Sequence, residues 1–170
     1  AQLVATPSVS HPTSPHYCLE HLQEAAEFVR ERLEALGFRS WLVEIKEGAA
    51  PYVLAEKVVD PAKPTVLLYA HYDVQPVEEA QWTTSPFQAV RKGERLYGRG
   101  SSDDKAGVIS ILAALKVAQE KGQEFSFNVK VLIEGEEEYG SSHMGELLQK
   151  EADCLLADAL IILDGSNKDI

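Results

Sequence analysis

The sequence lacks most of the features that mark secreted or membrane-spanning proteins. Its 170 residues include two cysteines, Cys18 and Cys154, which lie far apart and outside any CxxC pattern. They argue against a disulfide framework and against a thiolate zinc site. No apolar run approaches the roughly 18–20 residues that span a bilayer. The first residues do not show the basic stretch and apolar stretch of a signal peptide, so a cytoplasmic protein is expected. The chain is also expected to form one domain.

The sequence also has few basic residues relative to acidic ones. Lysine and arginine together number 16, against 27 aspartates and glutamates, and the formal net charge is −11. Nucleic acids and anionic membranes both need a basic surface, so neither is an expected partner. Such acidity commonly serves solubility alone. The alternative is that some of the carboxylates hold cations.

The sequence does contain strand-like segments that alternate with helix-like segments. The predicted elements are a helix over 17–36, strands over 39–45, 52–59, 65–70, 127–134 and 159–164, and helices over 104–120 and 144–150. Several of these strands are nearly all apolar, which is typical of strands buried on both faces. The alternation predicts an α/β domain with a mostly parallel central sheet and helices on both faces.

The helix over 104–120 has two predicted details. Its apolar stripe is expected to consist of Ala106, Ile109, Leu112 and Val117. Ser102 or Asp103 is expected to cap its first turn.

Polar residues able to bind metal follow three of these predicted strands and a further short strand, RLYG (95–98). They are His71 with Asp73, Asp103 with Asp104, the glutamates Glu136 to Glu138, and Asp164. Ligands of open α/β sheets bind at the carboxyl ends of the strands, so these side chains are expected to lie at one edge. One imidazole with several carboxylates suits Zn²⁺, Mn²⁺ or Co²⁺. The surplus of carboxylates favours two ions that share a bridging carboxylate.

Each of these features also has a simpler interpretation. An Asp-Asp pair before a helix is typical of an N-cap, and a run of glutamates is typical of a solvated helix start. The glycines of segment 98–103 lack the third glycine of a dinucleotide-binding fingerprint.

Asp73 could turn toward the His71 ring and fix its tautomer. The residues alone do not decide which of Glu136, Glu137 and Glu138 would bind metal.

Five ordered motifs resemble the M20 family of metallopeptidases, and within it the dipeptidase and carnosinase-type branch. They are YAHYDVQPV (69–77), WTTSPFQAV (82–90), LYGRGSSDDKAG (96–107), IEGEEEYGS (133–141) and ADALIILD (157–164). The opening LVATPSVS (3–10) also resembles the start of that family. The resemblance covers essentially the whole chain.

The resemblance implies a role for each site residue. His71 and Asp164 would bind the first metal, Asp103 would bridge both metals, Glu138 would bind the second, Glu137 would be the general base, and Asp73 would orient His71. The Asp103–Asp104 peptide bond would be cis. The two divalent ions, with Zn²⁺ the first choice and Mn²⁺ or Co²⁺ the alternatives, would activate water for amide hydrolysis.

The implied substrate is a dipeptide or a similar small peptide. The alternatives are an N-acyl-amino-acid deacylase, a carboxypeptidase of the same superfamily, and a metal-binding domain without catalysis. Family members are several hundred residues long, with a further metal-binding histidine and a lid or dimerisation domain. Residues 1–170 are therefore expected to be the N-terminal portion of the catalytic domain, inactive alone and homodimeric when complete. His143 is not expected to replace the missing histidine.

Overall fold

Five strands form the central sheet of the computed structural model, which describes residues 1–123 and 125–165. In chain order the strands are β1 Arg39–Val43, β2 Tyr52–Lys57, β3 Thr65–His71, β4 Val90–Lys92, β5 Arg95–Tyr97, β6 Asn128–Glu134 and β7 Ala159–Ile162. The sheet order is β1-β2-β6-β3-β7, while β4 and β5 form a separate antiparallel hairpin. Only β2 runs against its neighbours, so four of the five strands point the same way. The mostly parallel sheet is confirmed.

The register of the parallel strands β6, β3 and β7 gathers their carboxyl ends at one edge. His71 on β3 lies opposite Glu134 on β6, and Tyr69 on β3 lies opposite Ile162 on β7. The segments that follow β3, β6 and β7 therefore leave the sheet side by side.

Helices cover both faces of the sheet, as predicted. They are α1 Gln2–Ala5, α2 Leu19–Ala35, α3 Lys105–Glu120, α4 Met144–Lys150 and α5 Ala152–Leu155. Helices α2 and α3 pack on one face, where Leu33 and Ile111 join Val131 of the sheet in a large apolar cluster. Leu147 of α4 packs on the other face against Tyr52 and Leu132.

The predicted N-cap of α3 is wrong, and its predicted apolar stripe is right only in part. Leu112 of that stripe packs against the large apolar cluster. The buried apolar residues of α3 are Val108, Ile111 and Leu115, whereas Ile109 and Val117 are exposed. The helix is apolar over most of its circumference, and periodicity alone therefore did not show which side meets the sheet. The N-cap is Asp104, whose side chain accepts a hydrogen bond from the amide of Gly107 at 3.1 Å.

Strand β7 is the most exposed part of the sheet. Its residues Leu160, Ile161 and Ile162 are 50–58% exposed, although all three are apolar.

Within residues 1–123 and 125–165, every helix is too short or too polar to cross a membrane.

Candidate metal centre

His71 is the centre of the polar residues at the carboxyl edge of the sheet. It is the last residue of β3 and is fully buried. Its ring nitrogen Nδ1 lies 3.1 Å from Oδ1 of Asp73. Because a carboxylate only accepts hydrogen bonds, Nδ1 carries the hydrogen. The other nitrogen, Nε2, is thereby turned toward the carboxylates of neighbouring segments.

Asp73 holds more than the imidazole. It is also fully buried, and its oxygens accept hydrogen bonds from the backbone amides of Glu137 at 3.2 Å and Glu138 at 3.0 Å. One carboxylate thus connects the segment after β3 with the segment after β6. Its position fixes His71 and both glutamates relative to one another.

Three carboxylates from different segments surround Nε2 of His71. Asp103 Oδ1 lies 3.1 Å away, Glu137 Oε2 3.7 Å and Asp164 Oδ2 3.9 Å. These side chains are more open than His71, with exposed fractions of 64%, 36% and 30% respectively. Carboxylates that converge in this way repel one another unless a cation lies among them.

Two sets of ligand atoms at this edge have the compactness of a metal site. His71, Glu137 and Asp164 form one set, and His71, Asp103 and Glu138 form the other, with the atoms of each set within 4.8 Å of one another. One imidazole nitrogen with carboxylate oxygens is a donor set that suits Zn²⁺, Mn²⁺ or Co²⁺. The residues present therefore fit divalent metal ions.

The three consecutive glutamates have different environments. Glu137 belongs to the set with Asp164, and Glu138 accepts a hydrogen bond from Nε2 of Gln75 at 2.7 Å. Glu136 is buried instead against His143, whose Nδ1 lies 2.8 Å from its Oε2. Among the described residues, neither Glu136 nor His143 is part of a ligand set. The structure thus separates Glu136 from Glu137 and Glu138, a distinction that the residues alone did not give.

Gly135 is required by the packing beneath these glutamates. A Cβ atom at this position would lie 2.2 Å from the hydroxyl of Tyr72. That tyrosine is fully buried and donates its hydroxyl hydrogen to the carbonyl of Pro51 at 2.8 Å. The close approach of Tyr72 explains why the glutamate run is preceded by glycine.

Asp104 connects β3 to α3. Besides capping α3, its Oδ2 accepts a hydrogen bond from the amide of His71 at 3.2 Å. The Asp103–Asp104 peptide bond is cis, as the resemblance implied. Burial raises the pKa of Asp104 to about 6, against the lowering effect of the hydrogen bonds from His71 and Gly107.

The charges of the site shift the pKa values of its members. Burial lowers the pKa of His71, but its hydrogen bond to Asp73 and the charges of Asp73, Asp104 and Glu137 outweigh burial and raise the pKa to about 10. Burial raises the pKa of Glu137, and the charges of Asp164, Asp73 and Asp103 add to this effect against His71. A raised pKa suits a carboxylate that accepts a proton near neutral pH.

A cleft of about 580 Å³ opens beside the site. Its walls include Asp103, Gly107 and Ser110 on one side and Ile162 and Asp164 on the other. The cleft is therefore reached from the same edge of the sheet as the ligand sets.

Two residues of the site were not predicted from the sequence. Gln75 bonds Glu138, and Lys105 is buried directly after Asp104. Burial lowers the pKa of Lys105 to about 7, against the charge of Asp73. The Asp-Asp pair signalled the cap, but a lysine at a helix start carries no signal of burial.

A family model and a curated protein both match this chain. The family model of peptidase family M20/M25/M40 matches residues 67–170. The chain is 38% identical over 164 residues to a cysteinylglycine-S-conjugate dipeptidase of Corynebacterium striatum, covering 94% of this chain and 35% of that protein.

Two solved structures are similar along nearly the whole chain. Human carnosine dipeptidase 1 superposes with a TM-score of 0.87 at 32% identity, covering 96% of this chain and 37% of that one. The metallo-carboxypeptidase Sso-CP2 of Sulfolobus solfataricus superposes with a TM-score of 0.85 at 36% identity, covering 97% and 36%. The chain thus spans about a third of the length of these relatives.

Proposed function

Because the chain belongs to peptidase family M20/M25/M40, we propose that it forms the metal-binding part of a hydrolase that cleaves dipeptides or similar small peptides. The observation that carries this proposal is the convergence of Asp103, Glu137 and Asp164 on Nε2 of one buried histidine. Such a convergence is unfavourable without compensating positive charge, because the carboxylates repel one another, and divalent ions would supply that charge.

The proposed metal ligands follow from the resemblance and are compatible with the ligand sets. His71 and Asp164 would hold one ion, Asp103 would bridge to a second, and Glu138 would bind the second. Two divalent ions held by these residues would activate a water and polarise the substrate carbonyl. Zn²⁺ is the first choice, with Mn²⁺ and Co²⁺ as alternatives that the same donors accept.

Glu137 is the proposed general base. Its carboxylate is partly exposed and belongs to the ligand set of His71 and Asp164, so it lies beside the proposed ions and can reach both water and substrate. Its raised pKa allows it to accept a proton from the attacking water and to pass that proton to the leaving amine. The amide of Glu137 is held by Asp73, which keeps the base in place during both transfers.

Asp73 is proposed to act on His71 and not on the substrate. It is fully buried, so no substrate atom can contact it. Its bond to Nδ1 keeps Nε2 available as a ligand and raises the basicity of the ring.

Dipeptides are the proposed substrates because similar proteins include a dipeptidase of cysteinylglycine conjugates and carnosine dipeptidase 1. The second candidate activity is carboxypeptidase, favoured by the similarity to Sso-CP2. An N-acyl-amino-acid deacylase and a non-catalytic metal-binding domain remain further alternatives. Specificity would reside largely in the two thirds of the relatives' length that this chain does not span.

The setting of the protein is part of the proposal. We expect residues 1–170 to be the N-terminal portion of a catalytic domain, inactive alone and part of a homodimer when complete. A cytoplasmic location agrees with Cys18 and Cys154, which are both free thiols. The acidic charge agrees with the absence of nucleic-acid and membrane partners.

The test is a substrate panel on a polypeptide that includes the rest of the relatives' length. We expect dipeptides to be cleaved much faster than longer peptides. Glu137→Gln should lower kcat by roughly 10²–10⁴-fold, because the base is lost, while metal content stays unchanged. Preferred cleavage of long peptides at the C-terminus would favour the carboxypeptidase. Full activity of Glu137→Gln would contradict the assigned base.

A further inference from the structure

Lys105 is a buried lysine that the proposed mechanism does not use. It is 1% exposed and directly follows the Asp103–Asp104 pair. Its Nζ donates hydrogen bonds to the backbone carbonyls of Leu3 at 2.9 Å and Thr6 at 2.6 Å. A buried amine needs such partners, because it has lost its hydration. Lys105 therefore fastens the start of α3 to the N-terminal residues of the chain.

The same N-terminal residues are bonded to the segment that follows β3. The hydroxyl of Ser8 donates to the carbonyl of Tyr72 at 2.7 Å, and the carbonyl of Ser8 accepts from the amide of Val74 at 3.0 Å. Val9 forms a parallel bridge with Val74. Residues 3–9, called here the N-terminal strap, are thus bonded on one side to Lys105 and on the other to residues 72–74.

Packing adds to these hydrogen bonds. Gly100 adopts a positive φ of 81°, and a Cβ atom there would lie 2.7 Å from Val74 Cγ1 and 3.0 Å from Lys105 Cδ. The segment that leads to Asp103 therefore packs closely against Val74 and Lys105, the two residues to which the strap is bonded. Ser8 and Val9 are fully buried as well, so water does not compete for these contacts.

We propose that Lys105 is a positioning residue that acts through the N-terminal strap. Together they hold the segment carrying Asp103 at a fixed distance from the segment carrying His71 and Asp73. The inference rests on the proposed function, since these two segments matter as carriers of metal ligands. Without the strap, the hydrogen bond from the His71 amide to Asp104 would remain, and repulsion between the carboxylates would act against fewer contacts.

Two variants interrupt the strap at different ends. Lys105→Met keeps the length of the side chain and removes the hydrogen-bond donors to Leu3 and Thr6. Ser8→Ala removes the bond to Tyr72 with little change in volume. The matched control is Asn128→Ala, because Asn128 is also buried and donates to the carbonyls of Asp60 and Lys63 at the opposite end of β6.

The first readout needs no metal. Residue-resolved amide hydrogen exchange of the chain in EDTA should show faster exchange at His71 and Val74 in both strap variants. The control should change these amides only in proportion to its loss of global stability, measured by urea unfolding. Equal exchange at His71 and Val74 in strap variants and control, at equal stability, overturns the inference.

The second readout is calorimetric titration with Zn²⁺. Both strap variants should bind about 10–100-fold more weakly than the wild type, because the ligands are no longer held in place. Asn128→Ala should bind as the wild type does. Wild-type affinity in Lys105→Met overturns the positioning role, whereas the proposed function is unaffected by that result. If the wild type itself binds no Zn²⁺, the proposed metal centre fails and the exchange data alone decide whether the strap couples the two segments.

Discussion

The metal centre has two halves that are held in different ways. The fixed half consists of His71 and Asp73, which are fully buried and joined by hydrogen bonds. The open half consists of Asp103, Glu137 and Asp164, whose side chains are 30–64% exposed. The difference teaches that the fold itself orients the imidazole. The open carboxylates are less constrained by packing, and a bound cation would offset the repulsion among them.

The largest effect that distinguishes the two halves is expected from Asp73→Ala. The change leaves the imidazole and two backbone amides without their buried acceptor, and should lower the free energy of unfolding by roughly 3–5 kcal/mol. Asp103→Ala is the matched control in the open half, with an expected change within about 0.5 kcal/mol. Urea denaturation in EDTA measures both. Equal losses would show that the two halves are held alike.

Gly135→Ala should disturb the packing of Tyr72 next to the metal centre. The added methyl would overlap the Tyr72 hydroxyl, and overpacking of this kind costs about 1–3 kcal/mol. Gly145→Ala in α4 is the control, because a Cβ atom there has no neighbour within 4 Å, and it should be neutral or stabilising. Thermal unfolding compares the two. A stable Gly135→Ala chain would mean that Tyr72 moves aside at little cost.

Proton release should set His71 apart from the carboxylates. Its pKa of about 10 means that the metal-free ring is protonated at pH 7.5, so binding of a metal to Nε2 should release about one proton. Calorimetry in buffers of different ionisation enthalpy measures this release. Its absence would place the metal away from His71.

The same pKa predicts how stability depends on pH in the metal-free chain. The pKa of His71 is higher in the folded state than its ordinary value of 6.5. Its contribution to stability is therefore fully present below pH 6.5 and is lost as pH rises toward 10. Urea unfolding of the wild type and of His71→Ala across this range should show the loss in the wild type alone.

The smallest effect is expected from Gln75→Ala. Its bond to Glu138 lies at the surface, so its removal should weaken metal binding by about 0.5–1.5 kcal/mol, with the lower end favoured by exposure. Gln81→Ala, which removes a glutamine bonded to Glu78 outside both ligand sets, is the control. If Gln75→Ala weakened binding as much as a lost ligand, Gln75 would have a role beyond supporting Glu138.

The sequence predicted the sheet well because its strands are apolar runs bounded by turn residues. The run over 65–70 became β3 with one residue added, and the helix over 144–150 is α4 itself. The sequence did not predict the antiparallel direction of β2 or the buried side of α3. Strand pairing and helix packing depend on residues far apart in the chain.

The candidate site was partly predictable for a related reason. Strand ends marked where His71 and Asp164 would lie, because parallel strands share one edge. The separation of Glu136 from its neighbours depends on His143, seven residues later, and no local pattern reveals it. The burial of Lys105 likewise depends on carbonyls of the first six residues.

The most direct test of the account is a calorimetric titration of the chain with Zn²⁺ and Mn²⁺, with His71→Ala as the comparison. We predict one tight site in the wild type that is lost in the variant, because the fixed half supplies the imidazole of that site. A folded wild-type chain that binds neither ion, or a His71→Ala chain that binds as tightly as the wild type, would contradict the proposed metal centre.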